Sequence, residues 1–234
     1  MMLNNKINHA LIMAAGRGIR MKPLTDDLPK AMAPFNGSTL ISEGIKELKK
    51  YITNIHITVG YKGEMLSSHL MNNNVNSIIN TENKGNCWWL FNSIIKNLNE
   101  PIFVLTCDNV LDINFTNVEQ NFFDQGSPDC MIVPTKPVDK LEGDYISKDE
   151  KYNITYLGRK NKTELMCSGV QILNPLQINN KYQNTDSFDN LWLQLINKNS
   201  LKCANIIPSF WYAVDNVEQL DQLNLRFKKK QHVK

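Results

Sequence analysis

The sequence predicts an α/β domain, a mixed, mostly parallel sheet with helices on both faces. Short apolar runs of strand character alternate with segments whose apolar residues recur at helical spacing. The first of these runs, residues 10–13, passes into a loop with Gly16 and Gly18, where the backbone can turn tightly. No repeat, linker or low-complexity segment interrupts the 234 residues, so 1–234 reads as one domain.

The elements follow in order. After the glycine loop, Ser38 can cap a helix running to about Tyr51, with Leu40, Ile41, Gly44, Ile45 and Leu48 on one face. Residues 55–59 form the second strand and residues 64–70 a helix. Residues 75–79 form a short strand leading to a turn at Asn83-Lys84-Gly85. Asn86 begins a helix ending near Leu98. Its Trp88 and Trp89, in apolar company, are read as packing residues rather than base-stacking ones. Pro101 opens the strand 102–105, which ends in Thr106-Cys107-Asp108-Asn109. The second half is richer in strands, at 130–134, 152–157, 165–173, 204–207 and 211–214. A helix over about 217–227 closes the fold.

Bulk properties exclude several classes. A net charge of +3 gives no argument for nucleic-acid binding. The basic cluster Arg226 to Lys230 reads as a solvated, frayed tail. No apolar run approaches the ~18 residues of a membrane span, and the polar start (residues 1–8) lacks a signal-peptide core. The five cysteines are scattered and odd in number, which suits reduced thiols in a cytoplasmic protein. None is in C-x-x-C spacing, and His9, His56, His69 and His232 form no ligand cluster, so no zinc site is expected.

The loop itself suits phosphate. Successive N–H groups around Gly16 and Gly18 form an anion-binding concavity. Arg20 adds a planar, permanently charged fork, and Lys30 is presented behind the stiff Pro29. A dinucleotide fingerprint is excluded, because Met21 occupies the third glycine position and the second strand ends in Gly60-Tyr61 without an acid. Nor is there a Gly-Lys-Ser/Thr P-loop. Asp108, at the carboxyl end of a buried strand, is placed to hold Mg²⁺ against phosphate oxygens. Asp215 also follows an apolar strand. It is a candidate second ligand, or the cap of the last helix.

These residues together resemble the nucleotidylyltransferases that join a nucleoside triphosphate to a sugar 1-phosphate or to phosphocholine, the N-acetylmuramate-1-phosphate uridylyltransferase type among them. The family signature A-A-G-x-G-x-R, P-L-T and P-K is met by Ala14, Ala15, Gly16, Arg17, Gly18 and Arg20, by Pro23-Leu24-Thr25 and by Pro29-Lys30. Thr106-Cys107-Asp108-Asn109 is similar to the metal-binding G-D-N, and Cys167 to Leu173 to the strand under the acceptor. The late motif of the sugar enzymes carries Ala213 in place of a metal-ligand acid, whereas Asp215 matches the second acid of the phosphocholine type. Where sugar enzymes show E-K-P, this chain has Arg159-Lys160.

The resemblance implies a Rossmann-like, GT-A-like three-layer sandwich and a Mg²⁺-dependent attack by an acceptor phosphate on the α-phosphorus, expelling pyrophosphate. It assigns catalysis to Arg20, Lys30 and Asp108, and nucleotide binding to residues 14–18 with Asn83, Gly85 and Asn86. Acceptor binding falls to Asn109, Lys160 and Gly169, and metal binding to Asp108 and Asp215. A phosphate monoester is largely dianionic at neutral pH, with a second pKa of about 6, so no general base is needed. The leading expectation is an NDP-sugar synthesised for a polysaccharide pathway, in an enzyme that can be a homo-oligomer. A CTP-dependent enzyme acting on a non-sugar phosphate is the alternative. A non-catalytic nucleotide-sugar sensor is a further one.

Overall fold

The computed structural model describes residues 6–231; His232 and the first five residues of the polar start lie outside the described part. The strands are β1 (His9–Met13), β2 (Pro34–Phe35), β3 (Ser38–Thr39), β4 (Asn54–Val59), β5 (Ser77–Asn80), β6 (Ile102–Thr106) and β7 (Asn109–Asp112). They continue with β8 (Cys130–Thr135), β9 (Tyr145–Lys148), β10 (Ile154–Gly158), β11 (Leu165–Leu173), β12 (Leu201–Cys203) and β13 (Phe210–Ala213). The helices are α1 (Leu24–Asp27), α2 (Leu40–Leu48), α3 (Gly63–Met71), α4 (Trp88–Asn92), α5 (Phe115–Asp124), α6 (Pro175–Lys181), α7 (Phe188–Asn197) and α8 (Val217–Gln231).

A nine-stranded sheet runs β10-β9-β11-β6-β1-β4-β5, with β8 on β11 and β12 on β8. Strands β6, β1, β4 and β5 are parallel neighbours, whereas β11 pairs antiparallel with β6, β8 and β9. The sheet is therefore mixed, with a parallel centre. Both its faces are covered, and the strands show it by alternation. Ala10, Ile12, Phe103, Leu105, Met131 and Val133 pack with α2, α3 and α5. Their neighbours Leu11, Ile102, Val104, Cys130 and Ile132 pack with α4, α6 and α7. Adjacent side chains of a strand point to opposite faces, so continuous apolar runs mark strands buried on both sides. A third cluster, built on Met21, Phe35, Trp211, Val214, Leu220 and Leu223, closes α8 over β13.

Several boundaries move. Thr39, not Ser38, caps α2 by accepting from the Ser42 N–H, because Ser38 pairs with Phe35 in a two-residue hairpin. The segment from Asn86 to Leu98 is two pieces, since Ser93 leaves helical geometry and caps a 3₁₀ turn over residues 94–97. The strand expected at 204–207 lies at 201–203, where β12 pairs with β8. The basic tail is the last turns of α8, in which Arg226 lies 5.0 Å over the Tyr212 ring.

In the sheet interior, His9 and His56 stack with ring centroids 5.3 Å apart, and Nδ1 of His9 lies 3.0 Å from Nε2 of His56. Burial, and then the charge of His9, pushes the His56 pKa from about 6.5 down to about 4. Burial also lowers that of His9. The unfolded chain therefore binds more protons than the folded one between those values, and stability falls as the pH drops through that window. The slope should approach about 1.4 kcal/mol per pH unit for each proton involved. Denaturant melts from pH 7 to 4 should show it, and His56→Asn should flatten it.

Candidate active site

The glycine loop is held from three sides. The N–H of Ala14 donates to the Thr58 carbonyl and hydroxyl, both at 3.2 Å, continuing the β1–β4 pairing. The Thr25 hydroxyl, buried, donates to the Gly18 carbonyl at 3.0 Å, and the Tyr61 hydroxyl donates to the Thr25 carbonyl at 3.0 Å. Gly60 is required by this packing, since a Cβ there would meet the Ala15 carbonyl at 2.7 Å. Gly18 has φ +62°, and a Cβ on it would meet the Lys30 Cβ at 2.8 Å. The Pro-Leu-Thr and Gly-Tyr segments thus brace the loop, and Gly18 clears a passage for Lys30.

The two acids come together through a strand pair. β7 and β13 run antiparallel with Asn109 opposite Ala213, and the Val214 N–H donates to the Asp108 carbonyl at 2.9 Å. Asp108 and Asp215 therefore flank one end of the same ladder. Asp215 does not cap the last helix. Asn216 does, its Oδ1 accepting from the Gln219 N–H at 2.9 Å while Gln219 Oε1 accepts from the Asn216 N–H at 3.2 Å and from that of Asp215 at 2.6 Å. This reciprocal capping leaves the Asp215 carboxylate free to face the loop.

Lys30 lies between the acids. Its Nζ is 2.6 Å from Asp108 Oδ2 and 3.3 Å from Asp215 Oδ1. Burial opposes its charge, but Asp108, by its field and its hydrogen bond, with Cys107 and Asp215 adding, outweighs that and raises the pKa. Lys30 is thus a fixed cation at neutral pH. Arg20 also reaches Asp215, at 2.8 Å, and Glu142 at 3.4 Å. Nearby Cys107 is no nucleophile, because burial, helped by Asp108, pushes its thiol up to about 12.

Two cavities adjoin at the loop. One, of about 400 Å³, contains Gly16, Arg17, Gly18, Arg20, Lys30, Asn86, Asp108 and Asp215. The other, of about 320 Å³, contains Ala15, Gly16, Arg17, Tyr61, Asn83, Gly85, Asn86 and Trp89. The residues expected to carry nucleotide chemistry thus share one continuous groove, with Ala14 buried beneath it. Thr25, Tyr61, Glu142 and Trp89 belong to this site too. Thr25 closes the Pro-Leu-Thr motif and Tyr61 follows Gly60 at the end of the second strand, whereas Glu142 and Trp89 carry no site signal in the sequence and are brought in by tertiary packing.

The expected acceptor residues are more dispersed. Asn109 donates to the Thr106 hydroxyl and lines a separate cavity of about 510 Å³ between α2 and β7, which contains neither Lys30 nor the glycine loop. Gly169, at φ +81°, lies against it, and a Cβ would meet Asn109 Nδ2 at 2.1 Å. Lys160 is exposed. Its main-chain N–H donates to the Tyr156 hydroxyl at 3.0 Å, and its neighbours Arg159 and Lys162, with Glu142, line a third cavity of about 630 Å³.

A sheet with a parallel centre, a glycine loop after its first strand, and a lysine between two acids define an α/β protein with one charged groove at its strand ends. The chain belongs to the nucleotidyl transferase family, whose model matches residues 9–202. It is 22% identical over 215 residues to a probable mannose-1-phosphate guanylyltransferase of Oryza sativa, covering 86% of this chain and 60% of that protein. It is 28% identical over 109 residues to the bifunctional protein GlmU of Methanococcus aeolicus, which covers 47% of this chain. The chain spans 26% and 33% of the length of two such curated relatives. Its fold is shared with the inositol-1-phosphate CTP transferase of T. maritima, at TM-score 0.77, 17% identity and coverage of 95% and 97% of the two chains. It is shared equally with the CTP:phosphocholine cytidylyltransferase of Streptococcus pneumoniae, at TM-score 0.75, 21% identity and coverage of 94% and 99%.

Proposed function

We propose that this chain transfers a nucleoside monophosphate from a nucleoside triphosphate to a phosphorylated acceptor, with a sugar 1-phosphate as the leading class. The observation that carries this is Lys30, held between Asp108 and Asp215 beside the glycine loop. An acceptor phosphate oxygen forms a bond to the α-phosphorus, and the bond from that phosphorus to the pyrophosphate oxygen breaks. No proton need be removed from the dianionic nucleophile, so catalysis is alignment and charge neutralisation. Backbone N–H groups of Gly16, Arg17 and Gly18, with Arg20, hold the departing phosphates. Lys30 holds the α-phosphate against the incoming one.

The donor set suits Mg²⁺. Among the described residues no cluster of three or more metal-ligating side chains exists, but Asp108 and Asp215 stand together beside Lys30 and offer two carboxylates. Mg²⁺ takes one or two carboxylates and completes its shell with water and substrate phosphates. Bound there, it would supply positive charge to the α-phosphate. On this reading the enzyme is cytoplasmic, in keeping with five free cysteines, and feeds activated sugars to polysaccharide synthesis. Among the described residues no helix is long and apolar enough to cross a membrane.

A CTP-dependent enzyme acting on a phosphocholine-like acceptor is the second reading, favoured by Ala213 and by the position of Asp215 beside Lys30. A pyrophosphate-release screen crossing UTP, CTP, GTP, ATP and dTTP with several sugar 1-phosphates and phosphocholine tests both. Release with one pair names the substrates. Tight nucleotide-sugar binding without release under any pair would instead identify a sensor.

A further inference from the structure

Trp89, which lines the smaller cavity, carries a buried hydrogen-bond donor with no acceptor. Trp89 lines this cavity beside Thr81, Asn83 and Gly85, and is only 1% exposed. Its Nε1 has no hydrogen-bond partner, a condition shared, among buried side-chain atoms of the described residues, with Gln125 Oε1 alone. An indole N–H is a donor only, and leaving such a donor buried and unpaired costs stability. Such a group calls for an explanation, and a missing ligand is one.

The ring is held in place. It packs on Phe188, with centroids 6.3 Å apart. The Phe188 N–H donates to Asn86 Oδ1 at 3.0 Å, and the Cys87 N–H donates to the Asp186 carbonyl at 2.9 Å. Gly85 admits this brace, because a Cβ there would meet the Asp186 carbonyl at 2.0 Å. The start of α4 is thus tied to the start of α7 at the cavity's edge.

We infer that Trp89 Nε1–H reads the nucleobase by donating to a ring carbonyl oxygen. This rests on the reading of the groove as a nucleotide site and adds a selection rule to it. The nitrogen is buried, so its partner has to project. A carbonyl oxygen stands about 1.2 Å beyond the ring and can reach it. Uracil, thymine, cytosine and guanine carry such an oxygen. Adenine carries none, and its amino group would set donor against donor. The site therefore favours carbonyl-bearing bases over adenine, whose acceptors are ring nitrogens that do not project.

The test uses the full chain labelled with ¹⁵N, titrated with UTP, CTP, dTTP, GTP and ATP, each with Mg²⁺. Four tryptophans give four indole N–H resonances, and Trp89→Phe assigns one by its loss. That resonance should move downfield with the carbonyl-bearing nucleotide that binds best. Trp89→Phe should weaken that nucleotide about tenfold, as for loss of one neutral hydrogen bond, and leave ATP unchanged. Nucleotide binding that leaves the resonance in place overturns the inference alone, as does a variant that weakens all five nucleotides equally. Failure of every nucleotide to bind would overturn the reading of the groove as well.

Discussion

Lys30→Ala is expected to lower turnover by about 10²–10³-fold, the scale of losing one preorganised charge at a transition state. The fold should survive, because Lys30 sits on a short 3₁₀ turn held by backbone hydrogen bonds and, though buried, belongs to none of the apolar core clusters. Among the described residues its Nζ is the one cationic group paired with both acids, so on the proposed function no neighbour would replace it at the α-phosphate. Arg20 stays with Asp215 but is 59% exposed and reaches outward to Glu142. Lys30→Arg should not restore activity, since a planar fork cannot occupy the point taken by an ammonium. Pyrophosphate release measures the loss, and circular dichroism checks the fold. A second readout is independent of turnover. Without the ammonium, the two carboxylates face each other less compensated, so Mg²⁺ should raise the melting temperature more in the variant than in the parent chain. Near-normal turnover in Lys30→Ala would remove this residue from the mechanism.

Asp108→Asn is expected to cost as much, about 10²–10³-fold. The amide keeps the shape of the carboxylate and can still accept a hydrogen bond from Lys30, so packing changes little. It loses the charge that holds a cation, and it loses the field on Lys30. The sign of the second effect can be followed. In the parent chain burial depresses the lysine pKa and the acids more than restore it. With Asp108 neutral, burial weighs more heavily and the pKa falls. The alkaline limb of the rate profile should then move to lower pH in Asp108→Asn. A variant with reduced turnover and an unmoved alkaline limb would mean that Asp108 acts only through the metal.

The residues expected to meet the nucleotide were legible as a group because most lie within one strand-loop unit. Gly16, Gly18, Arg20 and Lys30 declare themselves by type and spacing, and β1, β4 and β6 by apolar runs buried on both faces. The braces were legible as motif residues but not as braces. Thr25 belongs to Pro-Leu-Thr and Tyr61 follows Gly60, yet the single hydrogen bonds through which they act leave no mark on any periodicity. Asp215 could be read as ligand or cap until Asn216 and Gln219 were seen to form the cap themselves. The side expected to meet the acceptor was least legible. β7 and β9 are four-residue strands, too short for a clear hydrophobic pattern. The fold places Arg159 and Lys162, rather than Lys160, on the cavity there.

The pairing of β7 with β13 has a consequence for the birth of the molecule. Lys30 meets Asp108 across 78 residues and Asp215 across 185. Contacts of such separation are slow to form and come late in folding. During translation, at about 5–20 residues per second, the glycine loop leaves the ribosome on the order of ten seconds before its last carboxylate exists. On the proposed function, a growing chain would carry the loop that holds phosphate before it has the second carboxylate, and the site is complete only once β13 has docked on β7.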